Sequence, residues 1–250
     1  MRRLFINEPI GEKIIITGQD AHHLGYSLRG RIGQRYVVAD VNGEVAEMEI
    51  VSFTTDTVTL RLIEKLAADT ESPVELILAM CLPKSDKMEF IVQKATELGA
   101  TSVQPLKSDN CVVKYDDKKS LSRQEKWQKI ADEAGKQCAR TVIPTVEPIK
   151  NIVDWFKDIK QVGDSVKMMC YEAEDRKSVG DFLAEANGEK YILLIGPEGG
   201  FSLSEVEQAV NAGFTSVSLG KRILKAEAAA VAAMTVVQYE KGDLGRRGMA

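Results

Sequence analysis

The sequence predicts an α/β protein preceded by a small antiparallel β-barrel, and three observations carry that expectation. Between Lys13 and Leu66 the chain runs in short, alternating, β-branched segments. From Val74 onward, strand-like runs alternate with helical ones. The stretch Ala67 to Pro73 between them has no period and ends in proline, as a linker does. A length of 250 residues leaves room for both parts, so we expect one domain over residues 1–68 and a second over 74–245.

Composition narrows the function before any motif does. Hydrophobic residues are 44% and charged residues 28% of the chain, ordinary globular values. No run approaches the ~18 apolar residues of a spanning helix, so no membrane partner is expected. The start, Met1 to Pro9, carries Arg2 and Arg3, but Asn7 and Glu8 interrupt the apolar stretch a secretion signal needs, which points to the cytoplasm. Cys81, Cys111, Cys138 and Cys170 lie too far apart for a zinc knuckle or a CxxC pair and read as reduced core thiols. His22 and His23, the only histidines, are neighbours that project apart, which argues against a metal site or a hydrolase triad. No metal is expected.

Taken in order, the first domain should hold strands at residues 14–16, 35–39, 44–51 and 57–62, with Asn42-Gly43 as a tight hairpin turn. The net charge of −4 announces no nucleic-acid partner, yet the segment from Ala21 to Ala39 contains Arg29, Arg31 and Arg35 and no acid. An ordinary solvated turn and a local phosphate-binding patch both fit that pattern. In the second domain a strand at residues 74–80 leads to a helix whose apolar face is Met88, Ile91, Val92, Ala95 and Leu98, closed by Gly99. Another helix carries Trp127, Ile130, Ala131, Ala134 and Cys138 on one face. Strand-like runs at 166–171, 191–195 and 216–219 then alternate with helices, implying a mainly parallel sheet with ligands outside the carboxyl ends of its strands. The tail from Gly242 to Gly248 should fray.

The chemistry concentrates in two loops. A buried strand, Tyr191 to Ile195, runs into Gly196-Pro197-Glu198-Gly199-Gly200-Phe201-Ser202, where Ser202 and Glu205 form a capping box for the next helix. The turn is neither GxxxxGK[ST] nor GxGxxG and has no lysine to hold a phosphate, and a plain strand-to-helix connection also fits it. Ser218-Leu219-Gly220-Lys221-Arg222-Ile223-Leu224 follows another strand and leads into an alanine-rich helix, Ala226 to Val237. Both loops should leave the same sheet edge. Their backbone groups and the side chains of Leu194, Leu219 and Leu224 suit a flat, mostly uncharged group such as adenine. We therefore expect a ligand pocket built by residues 194–200 and 219–224. The alanine helix, with Ala228, Ala229, Ala232 and Ala233, is too apolar to face water all round, so it should pack against a second subunit or a core.

Gly196 to Ser202 together with Leu219-Gly220-Lys221-Arg222-Ile223-Leu224-Lys225-Ala226-Glu227 resembles the paired C-terminal motifs of the ribosomal RNA small subunit methyltransferase E family, in the SPOUT class. The likeness covers nearly the whole chain. Arg2-Arg3-Leu4-Phe5 and the stretch from Ala21 to Arg29 look like that family's PUA-like β-barrel RNA-binding domain. Lys84-Ser85-Asp86-Lys87-Met88, Gln93 to Gly99, and Glu133 with Gln137-Cys138-Ala139-Arg140 resemble its middle motifs. Three positions depart from the family pattern: Lys225 stands for Arg, Ala228 for Thr and Ala139 for Gly. Lys225 keeps a charge but loses the guanidinium fork.

The resemblance implies a SPOUT-type α/β domain with a trefoil knot, acting as a homodimer. It implies methyl transfer from S-adenosylmethionine to N3 of a uridine in 16S ribosomal RNA or the assembling small subunit, with no DNA partner. Leu194, Ile195, Gly196, Glu198, Gly199 and Gly200 would hold the donor with Leu219, Gly220, Ile223 and Leu224. Arg222 would contact the reacting base, and Glu227 or Glu198 would orient groups or accept the proton. Arg2, Arg3, Arg29 and Arg31 would bind RNA backbone. Two rivals stand beside this reading: an inactive RNA-binding homologue, in which Lys225 and Ala228 mark lost activity, and a nucleotide-dependent enzyme using the Gly196 to Gly200 turn.

Overall fold

The computed structural model describes residues 3–6, 8–22, 24–25, 30–54, 56–67 and 70–245. Its contacts divide the chain into two units, Met1–Glu71 with Gly135–Val142, and Ser72–Ala134 with Ile143–Ala250. Arg2 and Arg29 lie outside the described residues, as do His23 and residues 246–250.

In the first unit, β1 (Arg3–Phe5), β2 (Lys13–Thr17), β3 (Arg35–Ala39), β4 (Val45–Phe53) and β5 (Thr57–Leu66) form one sheet in the order β1-β3-β4-β5-β2, with the short helix α1 (Gly18–His22) after β2. Period-two alternation turns Ile14, Ile16, Val38, Met48, Ile50 and Leu60 to one core. The β3–β4 hairpin closes where Asn42-Gly43 predicts it. Gly43 takes φ +77°, and Asp40 Oδ1 accepts the N–H groups of Asn42 at 2.8 Å and Glu44 at 2.9 Å. The strands between Lys13 and Leu66 pair antiparallel as expected, and β1, an unexpected strand before that stretch, adds to β3 in parallel. Alternation encodes which face a residue takes and nothing about strand direction.

The unit also takes residues 135–142 from far along the chain. Arg140 is buried, and its Nε and Nη2 donate to Glu71 Oε2 at 3.0 and 2.5 Å. Glu71 Oε1 accepts the N–H groups of Thr141 at 2.7 Å and Val142 at 3.2 Å. One carboxylate therefore satisfies a buried guanidinium and the turn that follows it.

The second unit contains β6 (Glu75–Cys81), α2 (Lys87–Glu97), β7 (Ser102–Lys107), most of α3 (Asp117–Cys138), β8 (Thr145–Val146), β9 (Lys150–Asn151) and α4 (Ile152–Ile159). It continues through β10 (Val166–Cys170), α5 (Val179–Glu185), β11 (Lys190–Ile195), α6 (Leu203–Asn211), β12 (Thr215–Val217) and α7 (Ala226–Glu240). The strands run in the order β12-β10-β11-β6-β7-β8, with β9 also on β7, and every pairing is parallel. This is the expected α/β architecture, and its central strands read as continuous apolar runs because helices cover both faces. Buried Leu76, Leu78, Met80, Ile192 and Leu193 of the sheet meet Ile91, Trp127, Met234 and Val237 of the helices. Among the described residues no helix is long and apolar enough to cross a membrane.

Helix α7 buries Ala226, Ala230, Ala233, Met234, Val237 and Gln238. Ala233 is thus part of its own unit's core and is unavailable to a second subunit. The chain just after α7 is held: Gly242 N–H donates to Gln238 O at 3.1 Å and Lys241 Nζ to Ala186 O at 2.8 Å, so fraying does not begin at Gly242.

Candidate functional site

Strands β12, β10 and β11 are adjacent and parallel, so the loops after them emerge together at one edge. A cavity of about 510 Å³ lies there, within the usual size of a small-molecule site. Its walls are the β11 loop Gly196 to Gly200, the β12 loop Ser218 to Lys225, and a third loop, Tyr171-Glu172, after β10. Ala226 and Ala229 of α7 close it.

Each glycine in the first turn has a local reason. A Cβ on Gly196 would stand 3.1 Å from the Phe201 ring, and one on Gly199 would stand 3.0 Å from Asn110 Cβ. Gly200 has φ +67° and lies against the Glu172 carboxylate. Asn110, in the loop after β7, donates through Nδ2 to both Gly199 O and Gly200 O at 3.1 Å. The capping box forms: Ser202 Oγ accepts Glu205 N–H at 3.3 Å and Glu205 Oε2 accepts Ser202 N–H at 2.9 Å. Buried Glu205 also accepts Asp109 N–H at 2.8 Å, so the loop before α3 and the glycine turn brace one another.

The second loop is built differently. Gly220 takes φ +112°, and among the described residues the backbone of Lys221 to Leu224 makes no hydrogen bond to another protein group. Donors and acceptors there are free for a ligand. Ile223, 87% exposed, and the half-buried Leu219 and Leu224 supply apolar surface beside them. Lys221, Arg222 and Lys225 give the loop positive charge.

The expected residues separate into those in the wall and those behind it. Ile195, Gly196, Glu198, Gly199, Gly200, Leu219, Gly220, Ile223 and Leu224 line the cavity, and so does Arg222. Leu194 is fully buried between β6 and β10, where it pairs with Ala79 and Met169, and does not reach the cavity. Glu227 also stands outside the lining. Its Oε2 is 3.2 Å from Lys87 Nζ, which is in turn 2.7 Å from Glu198 Oε1. The carboxylates of Glu198 and Glu227 therefore share one ammonium. Burial pushes the Glu198 carboxyl up, but the Lys87 hydrogen bond and backbone N–H groups outweigh it and hold the acid below the ordinary range. Cys170 lines the cavity as well, and burial pushes its thiol up to about 12, which leaves it a poor nucleophile.

Sequence reasoning gave no site role to Tyr171-Glu172 or Asn110, and it named Lys87 in a middle motif without foreseeing its partners. The first had a usable signal, since any loop at the carboxyl end of a neighbouring parallel strand belongs to the same edge. In the first unit, Arg31 is exposed and its guanidinium has no carboxylate partner among the described residues, whereas Arg35 is paired across the sheet with Glu47 at 2.9 Å. Arg3 opens β1.

Such a fold, with a glycine-walled cavity at the edge of a parallel sheet and an uncoordinated second loop, defines a small-ligand-binding α/β domain with an appended β unit. Residues 70–238 match the model of the RNA methyltransferase domain family. The chain is 32% identical over 230 residues to ribosomal RNA small subunit methyltransferase E of Bacillus subtilis, covering 90% of this chain and 89% of that protein. It is 31% identical to the Mesomycoplasma hyopneumoniae protein of the same name, covering 94% and 98%. The crystal structure of a ribosomal RNA small subunit methyltransferase E from Neisseria gonorrhoeae bound to S-adenosyl methionine superposes with a TM-score of 0.85 at 29% identity, over 97% of this chain and 99% of that one. The chain belongs to the RNA methyltransferase family and, within it, to the ribosomal RNA small subunit methyltransferase E family.

Proposed function

We propose that this protein transfers a methyl group from S-adenosylmethionine to N3 of a uridine in 16S ribosomal RNA, free or in the assembling small subunit. The observation that carries the reading is the cavity at the β10–β11–β12 edge, inside the residues matched by the family model. It fits the donor: a volume of about 510 Å³, apolar side chains for a base, and unengaged backbone groups for its polar edge. The likeness to a protein crystallised with the same donor supports it.

When bound, the donor supplies a methyl group already activated by a positive sulfur, so the chain's own task is to place the base and steady its charge. Uridine N3 must lose a proton as the methyl arrives, and negative charge spreads onto the neighbouring carbonyl oxygens. Arg222, in the cavity wall and free of any carboxylate partner among the described residues, is the donor for that charge. Glu227 and Glu198, tied to Lys87, orient the loops, and solvent takes the proton. The family likeness also supports a trefoil-knotted SPOUT-type domain, a PUA-like RNA-binding barrel in the first unit and a homodimer. Mapping modified bases in ribosomal RNA from cells lacking the protein tests the function: one 3-methyluridine of the small subunit should disappear and return with the intact gene. An unchanged map would overturn the assignment.

A further inference from the structure

We propose that Lys87 is a positioning residue of the cavity, its ammonium holding the first glycine turn and the first turn of α7 in register through Glu198 and Glu227. The inference rests on the reading above that the cavity takes S-adenosylmethionine, and it concerns a residue outside the cavity wall. Lys87 opens α2, and Nζ stands 2.7 Å from Glu198 Oε1 and 3.2 Å from Glu227 Oε2. Glu198 is part of one wall, between Pro197 and Gly199. Glu227 directly follows Ala226, which is part of another. One cation thus joins the glycine turn to the first turn of α7, and both elements contribute residues to the cavity wall.

Both carboxylates are largely withdrawn from water, each side chain 22% exposed. Glu198 has a second anchor, the Lys84 N–H, at 3.1 Å from Oε1 and 3.2 Å from Oε2. Glu227 Oε2 is buried and has no aligned hydrogen bond, so the Lys87 charge is its compensation. The other charges on these elements do not substitute: Lys84 contributes its backbone, Asp86 faces Arg123 at 3.6 Å, and Lys225, Lys221 and Arg222 form no ion pair with either carboxylate among the described residues. Without Lys87 two carboxylates face each other. Their repulsion would part the loops, and protonating one of them would bring the loops back together.

The test is calorimetric binding of S-adenosylmethionine and S-adenosylhomocysteine to the full chain, at about pH 7.5 and about pH 5.5. Wild type should bind alike at both, and Lys87→Arg, which keeps charge and reach, should stay within about threefold of it. Lys87→Met should bind roughly tenfold more weakly at the higher pH and regain most of that at the lower. Lys87→Met with Glu227→Gln, which removes the repulsion but not the missing link, should bind alike at both pH values and more tightly than Lys87→Met at the higher. Lys87→Met binding as wild type does overturns the proposal, and so does a loss that neither acid nor Glu227→Gln repairs, which would mark lost packing. If Lys87→Met does not fold, the double variant decides: a folded protein that binds more weakly than wild type and alike at both pH values supports the clamp, and binding equal to wild type or binding that still rises in acid overturns it. Wild type binding neither nucleoside would instead overturn the donor reading. The clamp is then decided by thermal midpoints, which should rise on acidification in Lys87→Met alone.

Discussion

Ala139 follows the last residue of α3 with φ 62°, in the left-handed region where a side chain costs about 1 kcal/mol. That angle explains why the family pattern has glycine there. Ala139→Gly should therefore stabilise the protein by about 1 kcal/mol, measured as a higher denaturant midpoint at unchanged slope; a lower midpoint would show that the methyl group packs for more than the strain costs. The next residue carries the opposite lesson. Burial pushes the Glu71 carboxyl up, yet the hydrogen bond and charge of Arg140, with the Thr141 and Val142 N–H groups, outweigh it and hold the acid below the ordinary carboxylate range. A depressed folded value means that the ionised carboxylate's contribution is whole above the unfolded value and is lost as pH falls through the folded one. Glu71→Gln should cost about 2–4 kcal/mol near neutrality, because it removes the carboxylate charge that faces a buried guanidinium. The gap from wild type should close in acid, as followed by chemical denaturation across pH. A pH-independent gap would place the cost in the amide's geometry and not in the charge.

At the scale of elements, what was legible in the sequence was local. Asn42-Gly43 and Ser202 with Glu205 signal structure within four residues, and both form as expected. The parallel β1–β3 pair and the return of residues 135–142 to the first unit depend on partners distant in sequence and leave no periodic trace. Lys87 and Glu198 are 111 residues apart, so neither announces the other. The glycine turn shows both levels at once: its glycines were visible, but the reason for Gly199 is Asn110, from a loop with no motif of its own. Gly199→Val should displace that loop as well as narrow the cavity, weakening S-adenosylmethionine binding by roughly tenfold or more in a folded protein; unchanged calorimetric affinity would remove this turn from the site. Helix α7 presents Ala228, Ala232, Thr235 and Tyr239 away from its buried side, whereas Ala229 faces the cavity, and Tyr239 is 64% exposed. Small residues beside an exposed aromatic ring suit close packing against a second copy. Light scattering at micromolar concentration should give a dimer mass, and Ala232→Arg should give a monomer; a wild-type monomer would assign this face to solvent.

For the whole molecule, we propose different tasks for the two units, which mutation can separate. In the first, Arg31 is exposed and without a carboxylate partner among the described residues, while Arg35 and Arg61 are each neutralised by a glutamate across the sheet. Free cations in such a place gain most by meeting phosphate, since each contact releases a condensed counterion. In the second, Arg222 lines the cavity, and the proposed methyl transfer would have its guanidinium meet charge that develops on a base. Replacing Arg31 with alanine, alone or with Arg29, should weaken RNA binding and flatten its salt dependence by about one unit of slope per contact while leaving donor binding intact. Arg222→Ala should do the reverse, keeping most RNA affinity but losing turnover by about a hundredfold or more, because it removes an interaction realised in the transition state. Filter binding across a salt series, beside single-turnover methylation, reads both effects. Unchanged RNA affinity and salt slope in the Arg29→Ala, Arg31→Ala protein would make the acid-free stretch ordinary solvated surface, and equal loss of RNA binding in Arg222→Ala would merge the two tasks into one.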